Sequence, residues 1–396
     1  MNILMVHNRY RFRGGEDVST EAETAMLREH GHNVEPFSRD NRDIPELGGL
    51  EWGSVGPALR LGAETVWSRS VHREVKALLR QRSFDIVHVQ NSFPQISPSV
   101  LYAARSAGVA VVQSLRNYRL VCANGTFYRD DAVCELCMGR AVGAPAVRYE
   151  CYQDDRVATG AVVALQSIHR LAGSWDRSVS VYIALSRFAA GKHIEGGVPA
   201  DRVVVKPNFL ADDPGPGSGD RSGFVYVGRL SEEKGIDTLL EAWESIPAPL
   251  TIIGDGPLAH LVEQATARNP RIDYRGARSN TEAVEVLGSA QAAVVPSRWH
   301  EPFGRGVIEA YSRATPVIAA RMGALPELVD DGRTGILFEP GDADDLVRAA
   351  ERVLADPDPS IMSQAARLEF EAKYTADENY PQLMGIYDQA LRTRPA

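Results

Sequence analysis

Apolar residues along this chain gather in short, nearly continuous runs rich in Val and Ile. In the first half these are NILMVH from Asn2, NVEPFS from Asn33, DIVHVQ from Asp85, VAVVQSL from Val109, VYIALS from Val181 and VVVKPN from Val203. The stretches between them carry helical spacing. Such runs predict parallel strands buried on both faces by crossover helices. ADDPGPGSGD, residues 211–220, then interrupts the pattern, and its density of Pro, Gly and Asp predicts a linker. Beyond it the alternation restarts with FVYVGRL from Phe224, PLTIIG from Pro249, IDYRG from Ile272, AAVVPS from Ala292, PVIAA from Pro316 and GILFEP from Gly335. From Asp342 the spacing is helical.

The expected fold is therefore α/β, with two doubly wound, Rossmann-like parallel-sheet domains facing across a cleft and helices at the C-terminus. The expected boundaries are 1–208 for the first domain, 209–220 for the linker and 221–396 for the second, with the final helix a candidate to pack back on the first. A length of 396 residues agrees with two cores rather than one. Open parallel sheets bind ligands beyond the carboxyl ends of their strands, so motifs at those ends carry the functional argument.

Charge narrows the partners. Residues 1–208 hold 25 basic against 22 acidic side chains, and the remainder 18 against 30. A net charge of −9 argues against nucleic acid as the main partner. The mildly basic first half suits an anionic substrate or a membrane-surface acceptor, and equally suits arginines scattered over solvated helices. No apolar run reaches the ~20 residues of a membrane span, and the N-terminus lacks a secretory h-region. The expected location is the cytoplasm, with peripheral attachment at the inner membrane surface left open.

Three strand-to-helix junctions offer anion-binding chemistry. In YRFRGGED, Gly14 and Gly15 let the backbone approach a ligand at a helix start, although a plain turn has the same composition. In VGRLSEEKGID, Arg229 at a strand exit and Lys234 before Gly235 suit a diphosphate, one as a fork and one as a point charge. In IIGDGP, Gly254 and Gly256 form a tight turn. A fourth junction, SRWHEPFGRGVIEAY, places Glu301 in a loop and Glu309 on the following helix. Amides near Phe303 and Gly304 suit hydroxyls or phosphate, and Glu309 suits a ribose diol. Two carboxylates complementing a helix N-terminus would show the same spacing.

The four cysteines all fall between residues 122 and 151: Cys122, Cys134, Cys137 and Cys151, inside an insertion spanning 116–155. Their C-x11-C-x2-C-x13-C spacing in a reducing compartment predicts a closed, structural four-thiolate zinc site, with four independent thiols as the alternative.

Taken together, RGGED, VGRLSEEKGID, IIGDGP, the E-x7-E element EPFGRGVIE and GALPELVDDGRTGILFEPGDADDL resemble the retaining glycosyltransferases of family 4, with the GT-B fold. The resemblance spans nearly the whole chain. It implies transfer of a sugar from a nucleotide-diphosphate donor to an acceptor hydroxyl, with UDP-sugars ahead of GDP-sugars and no catalytic metal. Arg229 and Lys234 would hold the diphosphate, the Gly14–Gly15 loop and Gly254 would contribute to the donor site, and Arg275 would lie near the base. Glu309 would hold the ribose, Glu301 the transferred sugar, with amides near Phe303 and Gly304 assisting. The resemblance further implies retention by a front-face path, and an acceptor on a lipid-linked glycan or a natural product. One position departs: Arg116 stands where many relatives carry a histidine touching the donor sugar. Arg116 could bind a phosphate or an acidic sugar but cannot act as a base. His88 at another strand end reads as structural ahead of functional. A sugar phosphorylase and a non-catalytic sugar-nucleotide-binding protein remain alternatives.

Overall fold

A computed structural model describes residues 1–10, 14–43, 62–217 and 220–393. In chain order the strands are β1 (Asn2–Arg9), β2 (Asn33–Asp40), β3 (Ile86–Asn91), β4 (Ala110–Leu115), the short pair β5 (Tyr128–Arg129) and β6 (Ala132–Val133), β7 (Val181–Ala184) and β8 (Val203–Val205). They continue with β9 (Phe224–Val227), β10 (Leu250–Ile253), β11 (Ile272–Tyr274), β12 (Ala292–Val295), β13 (Val317–Ala320) and β14 (Gly335–Phe338).

The chain divides into two compact units. One comprises Met1–Phe127, Glu135–Lys206 and Tyr380–Ala396; the other comprises Tyr128–Cys134 and Pro207–Asn379. The first holds a six-stranded sheet in the order β2-β1-β3-β4-β7-β8, and the second one in the order β11-β10-β9-β12-β13-β14. Every pairing in both sheets is parallel. Burial follows position: central β4 (AVVQSL) is buried at all six residues, whereas edge strand β2 (NVEPFSRD) alternates. Helices cover both faces of such sheets, which is why the central runs need no polar face.

In each unit the chain runs outward from its first strand and then returns to the other side of it. The strand order therefore reverses between β1 and β3 in the first unit and between β9 and β12 in the second. Doubly wound sheets bind ligands at the carboxyl side of such reversals. The second unit's core sets Trp243 edge-on to Phe224, with Leu239, Ile252 and Phe338 around them. In the first unit Val87, Val111, Leu115 and Tyr182 pack under Leu165 and Trp175.

Candidate active site

In the second unit, strand exits bring Lys234 and Glu301 together. β9 leads through Gly228 and Arg229 into the turn Glu232–Lys234 and helix Ile236–Ser245; β12 leads through Ser297 and Trp299 to Glu301. Lys234 Nζ lies 2.8 Å from Glu301 Oε2. The same oxygen accepts hydrogen bonds from Trp299 Nε1 at 2.8 Å and Ser297 Oγ at 3.1 Å. The Lys234 ammonium also sits 4.9 Å from the centre of the Trp299 ring. Donors converging on one carboxylate oxygen hold Glu301 in a single orientation before any ligand arrives.

The backbone around this pair is tightly braced. A Cβ on Gly235 (φ +70) would stand 2.0 Å from the Pro296 carbonyl oxygen, and Arg298 N donates to the Glu233 oxygen at 2.9 Å. The two strand exits are thus laced together. A Cβ on Gly323 would stand 2.4 Å from Glu301 N, and Ala324 N donates to the Glu301 carbonyl at 2.9 Å. GALPELV therefore has a packing reason: it supports the Glu301 backbone. Gly254 has one too, since its Cβ would meet the Gly228 oxygen at 1.8 Å, directly beneath the loop that presents the exposed Arg229.

Gly304 (φ +102) caps helix Arg305–Ser312, and the buried Phe303 ring meets Tyr374 edge-on at 6.1 Å. On the helix Glu309 is only 8% exposed, and Arg305 Nε donates to its Oε1 at 2.8 Å. Burial pushes the Glu309 carboxyl up from the ordinary range, against the opposing charge of Arg305. Arg275 is drawn to Asp273 at 2.7 Å on the edge strand. Ser297, Trp299 and Arg305 are the partners that sequence reasoning missed. Their signal was proximity, within four residues of the two glutamates, but spacing alone does not say which side chains turn toward one another.

In the first unit the Gly14–Gly15 loop is organised by the two acids that follow it. Gly14 N donates to Asp17 Oδ2 at 2.9 Å, and His7 Nε2 lies 2.8 Å from Asp17 Oδ1. Asn117 Nδ2 donates to Glu16 Oε1 at 2.7 Å. Arg116 points into a buried polar cluster. Its Nε donates to Gln90 Oε1 at 2.7 Å, and its Nη2 lies 3.3 Å from Glu23 Oε2. Lys206 Nζ lies 2.8 Å from Glu23 Oε1, and Gln90 Nε2 also donates to Glu23. Burial alone would raise the Glu23 carboxyl, but Lys206, His88 and Arg116 together hold it well below its ordinary value. His88 lies between Tyr387 OH at 2.8 Å and Ser114 Oγ at 2.9 Å, fully buried.

The structure does not show the expected zinc site. Among the described residues no group of three or more His, Cys, Asp or Glu side chains is arranged to hold a metal ion. Cys122 instead donates to Asn124 Oδ1 at 2.9 Å and packs with Tyr118, Val121 and Phe127. Cys137 and Cys151 pack with Ala123, Ala146, Val162 and Val163. Three of the four thiols, small and partly buried, thus pack in two separate apolar clusters. Burial accordingly raises the Cys122 thiol.

Residues 14–208 match the family described as glycosyl transferase 4-like domain, and residues 214–369 match glycosyl transferases group 1. The chain belongs to the group 1 glycosyltransferases. Within that family it is 34% identical over 152 residues to the sulfoquinovosyl transferase of Arabidopsis thaliana, covering 37% of this chain and 29% of that protein. It is 27% identical over 243 residues to the alpha-D-kanosaminyltransferase of Streptomyces kanamyceticus, covering 59% of this chain and 57% of the relative. The matches thus span less than two thirds of either relative. Among solved structures, Anabaena HepE in complex with UDP superposes with a TM-score of 0.66 at 18% identity, over 98% of this chain and 100% of that one. The group 1 chain accordingly has the GT-B fold. No helix among the described residues is long and apolar enough to cross a membrane.

Proposed function

We propose that this chain is a retaining glycosyltransferase that moves a sugar from a nucleotide-diphosphate sugar to an acceptor hydroxyl. The observation that carries the reading is the Lys234–Glu301 pair, fixed by Ser297 and Trp299 where strand order reverses in the second unit. Glu301 offers a preset acceptor for hydroxyls of the transferred sugar. Arg229 and Lys234, with the amides at the start of helix Arg305–Ser312, supply positive charge for the departing diphosphate. Glu309 takes the ribose diol.

In this mechanism the protein positions the reactants and stabilises leaving-group charge, while the donor phosphate accepts the acceptor's proton on the same face. A UDP-sugar is the favoured donor: HepE, of like fold, was solved with UDP, and a GDP-sugar is second. The acceptor binds the first unit.

The test is thermal stabilisation of the purified protein by UDP, GDP and their sugars, beside the Glu309→Ala variant. A nucleotide at a hundred times its dissociation constant adds about 2.7 kcal/mol. Stabilisation by one nucleotide class, lost in the variant, supports the assignment, and absence of any stabilisation refutes it. The anomeric configuration of the product, read by NMR, decides retention.

A further inference from the structure

Resting on that reading, the first unit contains a pocket whose chemistry narrows the acceptor. It lies at the carboxyl ends of β3 and β4, and its lining includes Gln90, Gln113, Arg116, Asn117, Arg119 and Trp175. Among the described residues, two arginines and no carboxylate line it. Behind Arg116, the buried Glu23 carboxylate is shared between two cations, Arg116 and Lys206. Burial pushes the Lys206 ammonium down from its ordinary value, so the charge that this cluster presents to the pocket is carried by the Arg116 guanidinium, with Arg119 beside it in the lining. The pocket is where Arg116 meets open space.

The second observation is Gln113. This residue lines the pocket, is 7% exposed, and its Oε1 is buried with no hydrogen-bond partner. It lies on central strand β4, on the same side as Leu115 and Val111, whose neighbours Leu165 and Trp175 are apolar. A leucine there would satisfy that packing, whereas an unsatisfied buried amide costs free energy. A carboxamide both donates and accepts, which suits a hydroxyl, and Trp175 adds an aromatic surface of the kind that carbohydrate sites use beside a few placed polar groups.

We infer that this pocket is the acceptor subsite and that it takes a polyhydroxyl acceptor bearing an anionic group, phosphate or carboxylate, with Gln113 reading one of its hydroxyls. Arg116 provides the charge, and the Glu23–Lys206 pair positions it. The arginine in place of the family's histidine then becomes a specificity determinant for the acceptor.

The experiment is calorimetric titration of the full chain, with and without saturating UDP, by glucose, glucose 6-phosphate and glucuronate. At least one anionic sugar is expected to bind tenfold or more tightly than glucose. Gln113→Leu should weaken that binding at least tenfold while its melting temperature holds or rises and its affinity for UDP stays unchanged. A merely structural Gln113 predicts the opposite: a lower melting temperature with sugar binding intact. Arg116→His should abolish the preference for the anionic sugars; if it does not fold, Gln113→Leu alone still decides the inference. Equal binding of glucose and the anionic sugars, unchanged binding by Gln113→Leu, or no binding of any of the three overturns it. A protein that binds the anionic sugars but no nucleotide sinks the donor reading instead, so the two failures are separable.

Discussion

Lys234 Nζ and Glu301 Oε2 stand 2.8 Å apart although 67 residues separate them in the chain. Neither is fully solvent-exposed, with side chains 25% and 10% accessible. A part-buried cation beside a part-buried carboxylate, each presented by a strand exit, is a charge arrangement set before ligand binding. If the diphosphate and sugar are the ligands, Lys234 must face both its acid and the phosphate, and Glu301 must hold its orientation throughout.

Glu301→Gln keeps the shape of the side chain but removes the charge that orients Lys234. Turnover is expected to fall by roughly 10²–10³, the range typical for losing one preorganised polar group, with UDP affinity changed little. Lys234→Met should instead weaken UDP itself. Steady-state kinetics and UDP titration of both variants check this. Equal loss of UDP binding in the two would contradict the division of labour between sugar and diphosphate.

Glu309 is buried and its carboxyl is raised by that burial, so in the absence of ligand its charge is a cost to the fold. Because the folded value lies above the unfolded one, the cost is felt only above the unfolded carboxylate range and vanishes as pH falls below it. Glu309→Gln should therefore leave the free protein at least as stable at pH 7.5, yet remove stabilisation by UDP. Thermal scans with and without UDP test it. A variant both less stable and fully responsive to UDP would show that the residue serves structure alone.

Gly254 and Gly306 provide a matched pair for the backbone argument. A Cβ at Gly254 would stand 1.8 Å from the Gly228 oxygen, whereas a Cβ at Gly306, inside helix Arg305–Ser312, meets nothing within 4 Å. Gly254→Ala should cost several kcal/mol, on the order of 3 or more, or prevent folding, because the β10 exit would have to move off the Arg229 loop. Gly306→Ala should be neutral or stabilise by up to about 1 kcal/mol through helix propensity. Urea denaturation of the two variants separates these outcomes.

How much of this was written in the sequence depends on the range of the interaction. Runs such as VAVVQS and AAVV are legible because a strand buried on both faces needs no polar alternation, and both sheets follow from them. Lys234 and Glu301 stood out as candidates because they follow strand exits, where such sheets bind ligands, and Glu309 because it lies on the helix that follows. The Arg116–Glu23 contact was not legible, since 93 residues separate the partners and no periodicity links a helix to a distant loop. The same holds for Tyr387, which reaches His88 across 299 residues. For the cysteines, tight clustering in sequence suggested one site, whereas Cys122 packs in one apolar cluster and Cys137 and Cys151 in another.

His88 supplies the last test, in pH. Burial, opposed by Glu23 and assisted by Arg116 and Lys206, lowers its imidazole to about 4, against about 6.5 in an unfolded chain. Between those values the unfolded chain binds a proton that the folded protein refuses. The associated stability is thus fully present above pH 6.5 and is lost as pH falls toward 4, to an upper limit of roughly 3 kcal/mol. Below the ordinary glutamate range Glu23 adds a separate loss, since its depressed carboxyl also takes up a proton on unfolding. His88→Gln should cost about 1–3 kcal/mol at pH 7.5, because Tyr387 and Ser114 lose a well-placed partner. It should also flatten the decline between pH 6.5 and 4.5 while leaving the steeper fall below it. Urea midpoints at pH 7.5, 5.5 and 4.5 read both effects, and an unchanged slope in the variant would place the titrating group elsewhere.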